Sequence, residues 1–209
     1  MQRSCTLAIL ALIAATLIGA TGCTAPAKTP RPPRHLYGVG ADVEEKPITI
    51  VCLIDGGKYM MGSIGALKYE LKRSIGELAD DKKFQVIFYG ASTTEIPGSE
   101  PVPATDKNKQ EAFRLIGDYV PGDRADPTVG LERAFACRPD LIYFLAGAEL
   151  PSSLIEFVNR LNVNKRTCVH TIRFLWRLGD DAVLRKIAED SHGSYRFVTE
   201  DDLDVLIRN

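Results

Sequence analysis

From residue 47 onward, short apolar runs rich in β-branched residues alternate with amphipathic stretches, and few architectures accept that alternation. The runs at residues 48–54 (ITIVCLI), 84–89 (FQVIFY), 141–146 (LIYFLA) and 167–174 (TCVHTIRF) predict strands. The unbroken apolarity of the first marks a central strand covered on both faces. Residues 195–198 (YRFV) predict a last strand, and residues 93–96 an edge piece closed by Pro97. Residues 59–78 place Ile64, Leu67, Leu71, Ile75 and Leu78 at helical spacing. Residues 106–119 and 127–137 predict two consecutive helices, the second capped by Asp126 with Pro127 in its first turn. Further helices are predicted over 152–161, 180–190 and 201–207. Strands separated by helices of about 10–15 residues imply a doubly wound, mostly parallel α/β sheet with helices on both faces. A chain of 209 residues can core one such domain and not two.

The first residues belong to a different problem. Arg3 is followed by an uncharged stretch over residues 7–20, of the length of a signal-peptide core and short for a bilayer span. It ends in Ala20-Thr21-Gly22-Cys23, which resembles the lipobox of bacterial lipoproteins, with Ala20 where that motif usually holds Leu. The expectation is a signal peptide over 1–22 and a lipid on Cys23; the alternative is a plain cleaved signal. Residues 23–46, with Pro26, Pro30, Pro32 and Pro33, read as a tether too polar to bury itself. The folded domain is then 47–209, held outside the cytoplasm in the cell envelope by its lipid. Of five cysteines, Cys5 leaves with the signal and Cys23 carries the lipid. Cys52, Cys137 and Cys168 remain, with no Cys-x-x-Cys spacing for a redox pair or a zinc site.

Familiar catalytic patterns fail on inspection. The formal net charge of −1 gives no field to concentrate nucleic acid, so none is expected as a partner. Asp55-Gly56-Gly57-Lys58 follows a strand, but a phosphate loop needs Gly at position 52 and Ser or Thr at 59, where Cys and Tyr stand. Gly38-Val39-Gly40 precedes any strand, and no Gly-x-Ser-x-Gly elbow exists. His35, His170 and His192 lack ligand spacing, and His170 reads as a structural residue within a strand. A protein that binds and does not catalyse is expected.

The residues then go further than the fold class. Asp55 ends the first strand, and later come DRADPTVGLERAFACRPDLIYFLAGAEL, HTIRF and LRKIAEDSHGSYRFV. Together, over residues 47–198, they resemble the von Willebrand factor type A (vWA) domain. That resemblance implies a metal-ion-dependent adhesion site with Asp-x-Ser-x-Ser in a first loop, Thr in a second and Asp in a third. Mg²⁺ wants about six oxygens in octahedral array. Here Asp55 matches the first Asp, while Gly57 and Tyr59 replace the two Ser. Ala125 or Pro127 stands for the Thr, and Gly147 for the Asp of the third loop. A degenerate site without Mg²⁺ or any other cofactor is expected, unless Asp126, Thr128 or Glu149 rebuilds it.

Without a metal, the carboxyl edge of the sheet still offers residue types that interfaces favour. Tyr59, Met60 and Met61 lie in the first loop, and Arg173, Trp176 and Arg177 flank the loop after HTIRF. They are candidates for contact with another protein, as an interaction module or scaffold. The bland alternative buries the Met pair on the helix face and packs Trp176 over its end. A secreted small-molecule or carbohydrate binder, or an enzyme using the same cleft, is the competing functional reading.

Overall fold

The first apolar run forms β1 (Thr49–Asp55), and every residue from Ile50 to Asp55 is buried. A computed structural model describes residues 48–175, 181–199 and 201–202. After β1 come a 3₁₀ turn (Lys58–Met60) and α1 (Ile64–Gly76). Next are β2 (Lys83–Tyr89), β3 (Thr94–Ile96), β4 (Val102–Pro103), α2 (Asp106–Asp118) and α3 (Pro127–Ala136). The chain continues through β5 (Leu141–Ala146), α4 (Ser153–Leu161), β6 (Cys168–Phe174), α5 (Ala182–Asp190) and β7 (Tyr195–Val198).

The strands form one sheet in the order β3-β2-β1-β5-β6-β7, with β4 also paired to β2. All pairs from β2 across to β7 are parallel, while β3 and β4 run antiparallel along β2. Alternation along β1 sends Ile50, Cys52 and Ile54 to one face, against Leu67 and Leu71 of α1 and Ile116 of α2. Val51 and Leu53 go to the other face, with Leu131 of α3, Leu154 of α4 and Leu184 of α5. Each such leucine contributes roughly 1.5–3 kcal/mol by leaving water.

Three local devices set the helices. Asp126 Oδ1 accepts from the Thr128 N–H at 2.9 Å, starting α3. The Lys109 ammonium donates to the carbonyls of Gly76 (3.1 Å) and Leu78 (2.6 Å), closing the carboxyl end of α1 with a cation. Gly130 lets α3 lie against the sheet, since a Cβ there would meet Tyr89 Cβ at 2.7 Å and Leu53 Cδ1 at 2.9 Å.

From β1 the chain moves to β2 on one side, then crosses back to β5 on the other. The loops after β1 and β5 therefore leave toward opposite faces and open a crevice at the carboxyl edge between them. That is where open α/β sheets place ligands. The doubly wound reading of the sequence stands, and β7 covers the four residues expected of it. Strand β4 was not anticipated, and α1 starts five residues later than its apolar spacing suggested. The signal, the tether, Cys23, Trp176, Arg177 and most of the helix expected at 201–207 lie outside the described residues. Among the described residues no helix is long and apolar enough to cross a membrane.

Candidate functional site

Asp55 ends β1 at the crevice, and its side chain is fully buried. Oδ1 accepts from the Gly57 N–H at 2.8 Å. Oδ2 accepts from the N–H groups of Gly147 at 2.9 Å and Ala148 at 3.2 Å. A buried carboxylate is tolerated where donors fill its acceptor positions, and main-chain amides aimed at one point make such a nest. The first and third loops are thus tied to each other through this one side chain.

The space around it is filled. A Cβ on Gly147 would meet the Met60 sulfur at 2.7 Å, and one on Gly57 would meet Ala125 Cβ at 2.9 Å. Gly56 has no room either, because a Cβ would fall 1.9 Å from the Tyr119 hydroxyl. That hydroxyl donates to the Gly56 carbonyl at 3.2 Å, and the Tyr119 ring stacks on Phe88 with centroids 3.8 Å apart. Burial first and the Asp55 charge second push the Tyr119 phenol up to about 12. Tyr89, whose hydroxyl donates to the Leu145 carbonyl at 3.1 Å, is pushed well above the usual range by the same two causes, with Arg173 opposing.

Arg173 holds the third loop from behind. Only 1 % of it is exposed, and its Nε donates to Asp181 Oδ1 at 2.8 Å. A second guanidinium nitrogen donates to the Ala148 carbonyl, and Asp181 Oδ2 accepts from the Tyr195 hydroxyl. Ala148 is gripped at both ends, its N–H by Asp55 and its carbonyl by Arg173.

Two residues expected at a contact surface therefore lie inside. Met60 is 1 % exposed because it fills the gap over Gly147, and Arg173 is consumed by Asp181 and Ala148. Tyr59 and Met61 face solvent, 47 % and 54 % exposed. Val120 (78 %) and Val129 (52 %) stand out on the same edge, and the sequence reading missed both. The signal for Val120 was available: an apolar residue in the Pro- and Gly-containing loop Tyr119–Gly122 has no helical or strand face to bury it. Between the first and second loops lies a groove of about 270 Å³, whose lining includes Gly57, Ala125 and Ala148, the Tyr59 ring, and the charged residues Lys58, Asp123, Arg124 and Asp126.

The residues around Asp55 do not fit a Mg²⁺ ion. Its oxygens are already engaged by amides, Gly57 and Gly147 carry no side-chain oxygen, and Met60 occupies the intervening space. Asp126 is committed to the start of α3. Among the described residues no group of three or more His, Cys, Asp or Glu is placed to hold a metal.

Three thiols and one strand histidine complete the chemistry-bearing groups of the core. Cys52, Cys137 and Cys168 are free thiols, and burial pushes Cys52 up to about 12 and Cys137 up to about 11. His170 Nδ1 accepts from the Ser194 N–H at 3.1 Å, so in the neutral ring Nε2 carries the proton, 3.4 Å from the Cys168 sulfur.

No family model matches the sequence, and no curated protein matches it. Solved structures do match the fold. A von Willebrand factor type A protein from Catenulispora acidiphila superposes with a TM-score of 0.63 at 17 % identity, over 77 % of this chain and 42 % of that one. The SpRpn10 VWA domain gives 0.59 at 12 % identity, over 77 % of this chain and 93 % of that one. Proximal thread matrix protein 1 from the mussel byssus gives 0.58 at 14 % identity, over 78 % of this chain and 44 % of that one. The chain spans less than half the length of the Catenulispora and mussel proteins. With a parallel sheet switching direction at β1 and an aspartate closing that strand, the chain has the fold of the von Willebrand factor type A domain.

Proposed function

We propose that this chain is an exported, lipid-anchored interaction module whose carboxyl edge contacts another protein without a metal ion. The observation that carries the reading is Asp55, whose carboxylate is saturated by three main-chain N–H groups beneath the Met60 side chain. A residue that in a metal-dependent site would reach outward is here an internal brace. What the edge offers instead is exposed apolar surface, from Tyr59, Met61, Val120 and Val129. Aromatic and methionine side chains are among the types enriched at interfaces. The signal-like residues 1–22, Cys23 and the proline-rich tether support display on the outer face of a membrane. Catalysis is no part of the reading: the Asp55 carboxylate is bound by amides and the Cys52 thiol is buried.

A photo-crosslinking residue at position 61, in the full-length chain expressed in its own cells, tests this directly. The expected result is a crosslink to another protein that persists under a chelator, with none from position 163 at the opposite edge. Crosslinks that vanish with the chelator, or none at all from position 61, would overturn it. Replacing Cys23 by Ser should release the chain from the membrane fraction; unchanged retention would refute the lipid.

A further inference from the structure

We infer that the edge of the sheet opposite the Asp55 crevice rests on an anionic lipid surface, through the loop after α4 and the turn after α3. The inference rests on the lipid-anchored reading above and orients the domain on its anchor. The parallel strands all start at this edge, so the chain enters the fold here. At the entry the Thr49 N–H donates to Asp140 Oδ2 at 2.7 Å. Asp140 in turn lines a groove of about 360 Å³ together with Arg138, Val163, Asn164 and Arg166. The tether over residues 23–46 reaches at most roughly 80 Å, which keeps this edge close to a bilayer that holds Cys23. Tethering of that kind raises the effective concentration of the surface, so even a weak contact is populated.

The loop after α4 holds its tip in one conformation. Asn162 is buried, and its side chain donates to the Thr167 carbonyl at 2.8 Å and accepts from the Thr167 N–H at 3.2 Å. Between them Lys165 turns the chain at φ 49°, its N–H donating to the Asn162 carbonyl at 2.9 Å. The tip shows Val163 to solvent, 73 % exposed, followed by Asn164, Lys165 and Arg166. Arg138, exposed just past α3, adds a third cation. Among the described residues neither guanidinium has an acidic partner. The Lys165 ammonium donates to Asn159 Oδ1 at 2.6 Å and keeps its charge. Against these three stands Asp140, whose carboxylate already holds the Thr49 N–H. The nearby acids Asp81 and Asp190 bring their own cations, Lys82 at 2.9 Å and Lys186 at 2.8 Å. The surplus around the apolar tip is therefore positive. Guanidinium and ammonium groups bind lipid phosphates, and an apolar side chain among them enters the headgroup layer.

A polarity-sensitive fluorescent residue at position 163 of the full-length chain, purified from its own cells and reconstituted into vesicles, tests the inference. Vesicles of phosphatidylcholine are compared with vesicles that also contain phosphatidylglycerol. Emission should shift to the blue with the anionic lipid only, and return as salt rises to about 1 M. The shift should be lost in Arg138→Glu plus Arg166→Glu, whose exposed positions leave the melting temperature unchanged. The same reporter at position 61 should stay as it is in water. An equal shift on neutral vesicles, a shift at 61 in place of 163, or no shift in a chain that floats with the vesicles would refute the edge and leave the anchor standing. A chain that floats with neither vesicle would refute both.

Discussion

The Met60 sulfur occupies the place that a side chain on Gly147 would need, 2.7 Å from where its Cβ would fall. The two positions are complementary, and neither is free to change alone. Gly147→Ala should cost about 1–3 kcal/mol by overpacking, and Met60→Ala should cost about 2–5 kcal/mol by opening a cavity. The double variant should be less destabilised than the sum, because each change relieves the other. Denaturant unfolding of the four proteins measures the coupling; strict additivity would show that the contact is not felt.

Asp55→Asn keeps the shape and replaces an acceptor oxygen with a donor facing amides that also donate. A loss of about 1–3 kcal/mol is expected for the donors left unsatisfied. Removing the charge should also bring the Tyr119 phenol down from about 12, since Asp55 is the second cause of its rise. Ultraviolet titration reads that shift, and an unmoved Tyr119 would separate the two residues electrically.

Arg173→Met takes the guanidinium away from the buried Asp181 carboxylate, to which its Nε donates at 2.8 Å. Breaking a buried pair in this way costs roughly 3–5 kcal/mol. Arg173→Met with Asp181→Asn should recover part of the loss. Hydrogen exchange at the Ala148 amide should accelerate in the single variant, because its carbonyl loses the guanidinium. An Ala148 amide as protected as in the wild type would mean that Asp55 alone holds the loop.

Alkaline pH should destabilise the fold. Cys52 and Tyr119 have folded values raised to about 12, and Cys137 to about 11, against ordinary values of 9.0, 10.0 and 9.0. Such groups favour the folded state fully below their ordinary values, and that contribution is lost as pH climbs through the raised ones. Unfolding free energy should fall from about pH 9 toward pH 12, less steeply in Cys52→Val. A flat profile across that window would contradict the burial.

The sheet was legible because strands buried on both faces must be apolar throughout, and residues 48–54, 84–89 and 141–146 advertise it. The two-residue β4 was not, since Val102-Pro103 offers no period to read. Asp55 was legible as the residue closing a central strand. Its role as a brace was not, because its donors at positions 147 and 148 are brought to it only by the pairing of β1 with β5. Met60 and Met61 are neighbours with opposite fates, since a 3₁₀ turn rotates successive side chains by about a third of a circle. Arg173 sat in a strand run with nothing to say which way it faced, and its partner Asp181 lies 8 residues further along the chain.

The central claim is that the edge works without a metal, and calorimetric titration of Mg²⁺ and Mn²⁺ into the full-length chain meets it most directly. The account predicts no heat beyond dilution and no change in melting temperature, in the wild type and in Asp55→Ala alike. Saturable binding that disappears in Asp55→Ala would contradict it and return Asp55 to the ranks of metal ligands.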